Sequence, residues 1–304
     1  MSVAGRIEGI KSREMIYLWD RNGILENLRK HFPITEDIKK AKAIFLWTDI
    51  YPVEQVIIKY AKSLGVKTFV YQHGRKGSSK YYPPFSEKIQ TDKHLVWGEF
   101  DRQSLLVAGQ DEKKIKVVGS PIFSHLKEKK EYKGINIVFC PDHWDTEILE
   151  NFRTRDELRK LKGVNIITKL LDTHELKDYD NPIQTDRNDP AHLDKCIEVL
   201  QTADLVVGVS ESTFELLAQA MDIPVVIMEE WMPKPFGGDM KYLTYRRLIS
   251  RASKRATIKT LNEIIKQQLK NPHELKEERK QVVKEEGGKN LDWVGLLKKE
   301  IYDL

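Results

Sequence analysis

Short apolar runs alternate with stretches whose apolar positions recur at helical spacing along most of the chain. Met15 to Trp19, Ala43 to Trp47, Thr68 to Tyr71, His94 to Trp97 and Ile115 to Val118 read as strands. Ile24 to Phe32, Val53 to Leu64 and Asp101 to Ala108 read as helices between them. Strands separated by helices predict parallel βαβ crossovers, so residues 1–125 are expected to form a doubly wound sheet of about five strands.

The rhythm breaks at His125 to Gly134, a basic, polar stretch that suits a linker. It restarts with Ile135 to Phe139, a charged helix from Asp145 to Leu161, Val164 to Thr168, a short strand near Pro182 to Gln184 and a helix from His192 to Leu200. The run from Asp204 to Met228 then reads as buried strand, hydroxyl-rich turn, helix and second buried strand. Residues 135–255 are thus expected to form a second parallel sheet. From Ala256 the pattern is helical, with breakers at Asn271-Pro272 and Gly287-Gly288. Its last segment places Trp293, Leu296, Leu297 and Ile301 on one face, which calls for a groove across the cleft or on the first domain.

Composition narrows the class. A chain of 304 residues suits two domains, and 40% hydrophobic content is enough for two packed cores. The 32% charged fraction predicts a well-solvated surface. With no apolar run of about 18 residues and a polar, mixed start, the chain is expected in the cytoplasm. The net charge of +5 is concentrated in residues 251–304, where thirteen Lys and Arg meet nine Asp and Glu. Interspersed signs of this kind mark a solvated helical face more often than a nucleic-acid or membrane surface. Only Cys140 and Cys196 are present, which argues against a disulfide framework or a cysteine zinc site and for two buried thiols.

The candidate chemistry lies where strands end. In the turn of the 204–228 run, Ser210, Glu211, Ser212 and Thr213 precede a helix, where backbone N–H groups and the helix dipole favour an anion. Glu215, one turn in, is placed to reach a ribose diol. Ser212 and Glu215 also form a capping box, and the two roles are compatible. Phe214, Leu217, Ala218 and Met221 give the helix a core face.

In the first domain, Tyr71-Gln72 runs into His73, Gly74, Arg75, Lys76, Gly77 and Ser78. A histidine after a strand suits general-base work near neutral pH, and the basic glycine loop suits a phosphate or carboxylate. Asp142 and His143 follow another strand, as do Lys169 and His174, the first able to neutralise a phosphate and the second to bond it. Gly119 and Ser120 end the last first-domain strand and fit a tight cleft floor or a turn. Trp231 to Asp239 reads as a mobile lid or a plain surface loop.

No H-E-x-x-H helix, Walker A loop, G-x-S-x-G elbow or G-x-G-x-x-G fingerprint occurs. Metal hydrolases, P-loop kinases and dehydrogenases lose ground accordingly. A leaving diphosphate is expected to be stabilised by Lys, Arg and helix N-termini, with no metal and no cofactor.

Three segments carry a resemblance: Tyr71-Gln72-His73-Gly74, Val117-Val118-Gly119-Ser120-Pro121, and Val207 through Pro224. On these the chain resembles GT-B glycosyltransferases of the bacterial surface-polysaccharide type, related to the UDP-N-acetylglucosamine 2-epimerase fold and to CDP-glycerol glycerophosphotransferases. The resemblance implies two Rossmann-like domains facing a central cleft, 1–125 on the acceptor side and 135–255 on the donor side, with helices in 256–304. It implies His73 at the reaction centre, and Ser210, Ser212, Thr213 and Glu215 around the donor's diphosphate and ribose. The Lys-x-His-Pro stretch of many relatives is altered here to Lys169 through His174-Glu175, which weakens the transfer of a phosphate role to that pair.

The expected function is metal-independent transfer of a sugar from a nucleotide-sugar, UDP-linked before CDP- or CMP-linked, to a hydroxyl on a glycan, a lipid-linked glycan or a modified base. The competing expectations are glycerophosphate transfer from a CDP-activated donor and a nucleic-acid-associated protein. Polysaccharide biosynthesis at the inner face of the membrane fits the leading one.

Overall fold

The computed structural model describes residues 34–46, 49, 52–72, 89–107, 109–141, 148–171, 176–185, 189, 191–209, 212–228, 252–288 and 292–302. The strand expected at Met15 to Trp19 and the helix at Ile24 to Phe32 lie outside these residues.

The first sheet is built from α1 (Ile34–Lys40), β1 (Ala43–Leu46), α2 (Pro52–Ser63), β2 (Lys67–Tyr71), β3 (Lys93–Val96), α3 (Glu99–Val107) and β4 (Ile115–Val117). Its described strands are parallel in the order β1-β2-β3-β4. Side chains alternate across it, as strand geometry requires. Val70 and Val96 face α2 and α3, packing with Ile57, Ile58 and Leu105, while Phe69, Leu95 and Val118 face the other side.

The second sheet follows the exposed, irregular segment 126–135. It comprises β5 (Asn136–Cys140), α4 (Ile148–Leu158), β6 (Asn165–Leu171), β7 (Pro182–Thr185), α5 (His192–Gln201), β8 (Leu205–Gly208), α6 (Thr213–Ala220), β9 (Val225–Met228) and β10 (Lys254–Ala256). The order is β10-β9-β8-β5-β6-β7, and every pairing is parallel. β5, β8 and β9 are buried along their whole length, which is why they read as unbroken apolar runs. Val138, Cys140, Val206 and Ile227 pack under α5 and α6, and Ile137, Phe139, Val207 and Met228 pack on the opposite face with Leu158, Leu261 and Ile265. Each such aliphatic side chain, fully buried, contributes roughly 1.5–3 kcal/mol.

The start of the tail and the burial of α6 differ from expectation. The tail does not become helical at Ala256; Lys254–Ala256 first completes the sheet as β10, three residues being too few to show a period. α6 is buried at every position from Phe214 to Ala220 and not on one face alone. The sheet, α5, α8 and the turn Pro121–His125 pack around it.

The tail comprises α7 (Leu261–Lys270), α8 (Lys276–Glu285) and α9 (Trp293–Tyr302). α8 packs on α6 through Val282 and Val283 and is fixed by Arg279, whose guanidinium donates to Asp222 at 2.6 and 2.9 Å and to the Pro272 carbonyl at 2.9 Å. The chain then returns to the first sheet. α9 lays Leu296 and Leu297 on Phe69, Leu95 and Val118, and Glu300 is held by Lys93 at 2.6 Å and Lys116 at 3.2 Å.

Where the tail passes the end of β3, two backbones meet. A Cβ on Gly98 would lie 2.0 Å from the Glu285 carbonyl oxygen and 2.5 Å from the Gly287 nitrogen. Gly287 itself has φ +109° and would clash with the Trp97 carbonyl in the same way. Trp97, Phe100, Ile122 and Phe123 share one apolar cluster with Val138, Phe214 and Val282, so one cluster spans the junction between the two sheets.

Candidate functional site

Strand order decides where a ligand site belongs. From β5 the second sheet grows one way through β6 and β7 and the other way through β8, β9 and β10. Connections leaving β5 and β8 therefore diverge to opposite sides and leave a crevice at their carboxyl ends. Those ends are Cys140 and Gly208, which are register partners. α6 begins five residues after Gly208, its amino end at the same edge.

Ser212 caps that helix. Its Oγ accepts from the Phe214 N–H at 3.2 Å, while its own N–H donates to Glu215 Oε2 at 2.9 Å and its hydroxyl donates to the same oxygen. The capping box is thus complete. Glu215 is 1% exposed. Gly208 makes room for it, since a Cβ there would stand 2.4 Å from Glu215 Oε1. That second oxygen is buried and has no hydrogen-bond partner among the described residues. Burial pushes the Glu215 carboxyl up, against the pull of Ser212 and of the Lys169 charge. A spare acceptor of this kind costs about 1–3 kcal/mol when left unmet.

Lys169 is not in a loop after β6, as the sequence suggested; the strand runs on to Leu171 and holds Lys169 inside it. Lys169 shares the face of Ile167 and lies under α6, 6% exposed, with Nζ 5.6 Å from the centre of the Phe214 ring. Beside it, from α5, comes Cys196, whose thiol burial pushes up. The Cys196 Sγ lies 3.8 Å from His192 Nε2. Both cysteines are buried thiols, and neither is in a disulfide.

At the end of β2, Gln72 is locked on three sides. Its Oε1 accepts from the Trp97 N–H at 2.8 Å, its carbonyl accepts from the Trp97 indole at 2.8 Å, and its Nε2 donates to Asp101 at 2.9 Å. The chain is thereby held in place up to the residue before His73. Gly119 and Ser120 form the crossover between the sheets. Gly119 has φ +88°, donates its N–H to the Trp97 carbonyl at 3.1 Å and accepts from the Tyr71 hydroxyl at 3.4 Å. Ser120 caps the short 3-10 turn Pro121–His125 by accepting from Ile122 N–H.

Of the residues singled out from sequence, Ser212, Thr213, Glu215 and Lys169 therefore lie around the start of α6, and Gly119 and Ser120 lie in the crossover. His73, Gly74, Arg75, Lys76, Ser78, Asp142, His143, His174, Ser210, Glu211 and the 231–239 loop lie outside the described residues. Gly208 was not picked out, although a glycine closing a buried strand before a capped helix is a readable signal. One Asp-x-Asp spacing also occurs, Asp178-Tyr179-Asp180. Asp180 is bound by Arg159 at 2.7 and 3.1 Å, and its carbonyl accepts from Thr168 N–H just before β7 begins, which puts the pair at the amino edge of the sheet. Among the described residues no group of three or more His, Cys, Asp or Glu could hold a metal ion. None of their helices is long and apolar enough to cross a membrane.

The sequence matches no protein-family model and no curated protein. The fold does match solved structures. A glycosyltransferase from Rickettsia africae is similar at 16% identity and TM-score 0.55, over 93% of this chain and 83% of that one. HepE from Anabaena, in complex with UDP and glucose, is similar at 12% identity and TM-score 0.57, over 91% and 81%. A putative UDP-N-acetylglucosamine 2-epimerase from Listeria monocytogenes is similar at 13% identity and TM-score 0.58, over 89% and 78%. With its two parallel α/β sheets and its tail returning from the second to the first, the chain has the GT-B fold.

Proposed function

We propose that the chain is a glycosyltransferase that takes a sugar from a nucleotide-sugar bound at the carboxyl edge of β5 and β8 and passes it to a hydroxyl acceptor entering from the first sheet. The supporting observation is Glu215: one oxygen completes the helix cap, and the other is a buried acceptor at the sheet's switch point with no partner among the described residues. A ribose diol supplies the hydroxyl donors such an oxygen lacks. The amino end of α6 beside it offers N–H groups and a positive dipole end to the diphosphate. The solved complexes of HepE with UDP and with UDP-glucose favour uridine as the base to test first.

In the reaction, the acceptor hydroxyl gives its proton to His73 while its oxygen bonds to the anomeric carbon. The bond from that carbon to the diphosphate breaks, and the charge left on the nucleotide is met by the start of α6 through Ser210, Glu211, Ser212 and Thr213. Arg75, Lys76 and Ser78 serve the acceptor or its phosphate, and Asp142, His143 and His174 line the donor side. No metal takes part.

Calorimetric titration with UDP and with CDP tests the donor half. UDP is expected to bind, and Glu215→Ala to weaken it tenfold or more; a protein that binds neither nucleotide nor any nucleotide-sugar refutes the assignment. Stabilisation by CDP alone would move the assignment to glycerophosphate transfer. His73→Ala is expected to abolish transfer and leave UDP affinity within about threefold.

A further inference from the structure

The buried groups of the described chain include one lysine, Lys169. A lysine so placed calls for an anion, because burying an uncompensated ammonium is costly. Register and the space above Gly208 bring one carboxylate into its row. Cys140 of β5 pairs with Gly208 of β8, and Phe139 pairs with Thr168 of β6, so Gly208, Cys140 and Lys169 stand in one row across three strands. All three share the face under α5 and α6. Gly208 contributes no side chain, and the Glu215 carboxylate occupies the space above it. Lys169 thus approaches from one end of the row and Glu215 from the other.

The other titratable groups around Glu215 do not offer a charge in Lys169's place. β5 brings Cys140 and α5 brings Cys196, both buried thiols, the latter raised by burial and next to His192. α8 brings Arg279, engaged by Asp222 beyond the far end of α6. The crossover turn brings His125, paired at the surface with Asp194.

We propose that Lys169 is a positioning residue, the internal counter-charge that keeps Glu215 ionised and aimed over Gly208, and that it is not itself a ligand of the donor phosphates. Phe214 covers Lys169 Nζ and screens the pair from water, which strengthens the attraction. Burial raises the Glu215 carboxyl on balance; the hydrogen bonds at Ser212 and, after them, the Lys169 charge pull it down. The consequence for binding rests on the donor assignment given above, but the charge coupling does not.

The experiment therefore begins without ligand. The side-chain carboxyl carbon of Glu215, assigned by its loss in Glu215→Gln, is titrated by NMR in the wild-type chain and in Lys169→Met. The carboxyl is expected to titrate at higher pH in Lys169→Met; an unmoved midpoint overturns the proposal. The two substitutions are also combined. Lys169→Met is expected to lower the melting temperature in the wild-type background and to lower it less, or raise it, in the Glu215→Gln background, where the lysine has lost its partner. Equal losses in both backgrounds overturn the proposal, and the double variant supplies this answer even where Lys169→Met alone fails to fold.

UDP titration across pH then separates the two roles. A counter-charge predicts that UDP affinity in Lys169→Met rises with pH, about tenfold per unit below the new midpoint. A phosphate ligand predicts a uniform loss at every pH, which overturns the proposal. Absence of UDP binding by the wild-type chain sinks the donor assignment and leaves the ligand-free result standing.

Discussion

Glu215 Oε1 sits so close over Gly208 that a Cβ at that glycine would stand 2.4 Å from it. A strand-ending glycine and a helix-starting carboxylate, seven residues apart in sequence, thus define one space. Gly208→Ala must displace the carboxylate, because β8 is buried on both sides and cannot yield. We expect a loss of about 1–3 kcal/mol in chemical denaturation, in the range of core overpacking. UDP affinity should fall with it, as in Glu215→Ala.

Ser212→Ala removes the cap and leaves the Glu215 carboxylate in place. The loss should be about 1 kcal/mol, the ordinary worth of an N-cap hydroxyl, measured by urea unfolding. UDP binding should weaken less than in Glu215→Ala, since the spare oxygen remains.

Asp49 and His94 form a buried pair away from this site, with Asp49 Oδ2 2.9 Å from His94 Nε2 and accepting also from Gln90 and Thr91 N–H. Burial pushes the carboxyl up, but the histidine and the two N–H groups bring it down from 3.8 to about 2. A carboxyl lowered on folding stabilises fully above its unfolded value and loses that contribution as pH falls through the folded value. Asp49→Asn should therefore cost about 2 kcal/mol at neutral pH. The gap from wild type should close between pH 3.8 and about 2, followed by circular dichroism against urea.

Glu300 ties α9 to β3 and β4 through Lys93 and Lys116, both partly exposed. Solvent screening keeps the pair modest, so Glu300→Gln should cost at most about 1 kcal/mol globally. The local effect should be larger: hydrogen exchange in residues 293–302 should quicken while the second sheet is unchanged.

Gly98→Ala puts a methyl group 2.0 Å from a backbone carbonyl of the returning tail. Backbone cannot swing aside as a side chain can, so the loss should exceed about 3 kcal/mol or prevent folding. Gly109→Ala is the control. It has φ +80° and open space around it, so it should show only the smaller cost of backbone strain.

Much of the secondary structure was legible because the strands are buried on both faces. β2, β3, β5, β8 and β9 are apolar runs bounded by polar or turn residues, and they fall within about two residues of expectation. The Ser212-Glu215 box was legible for the same local reason: a cap is made within four residues. Lys169 was misplaced because a lysine after an apolar run looks like the end of a strand. Whether a strand stops at a lysine or carries it inside depends on what lies above, here Phe214 and Glu215 from a helix more than forty residues away.

The sequence by itself determined the alternation of strands and helices, the carboxyl-edge position of Ser212 and Glu215, and the breaks in the tail, since each follows from periodicity or from bonds between near neighbours. The tertiary structure decided the rest. Strand order put Cys140 beside Gly208 at a switch point, the fold turned Gly208 into space for a carboxylate, and the returning tail set Gly98 against Gly287. These are contacts between residues far apart in the chain, and local pattern carries no record of which distant backbone will arrive.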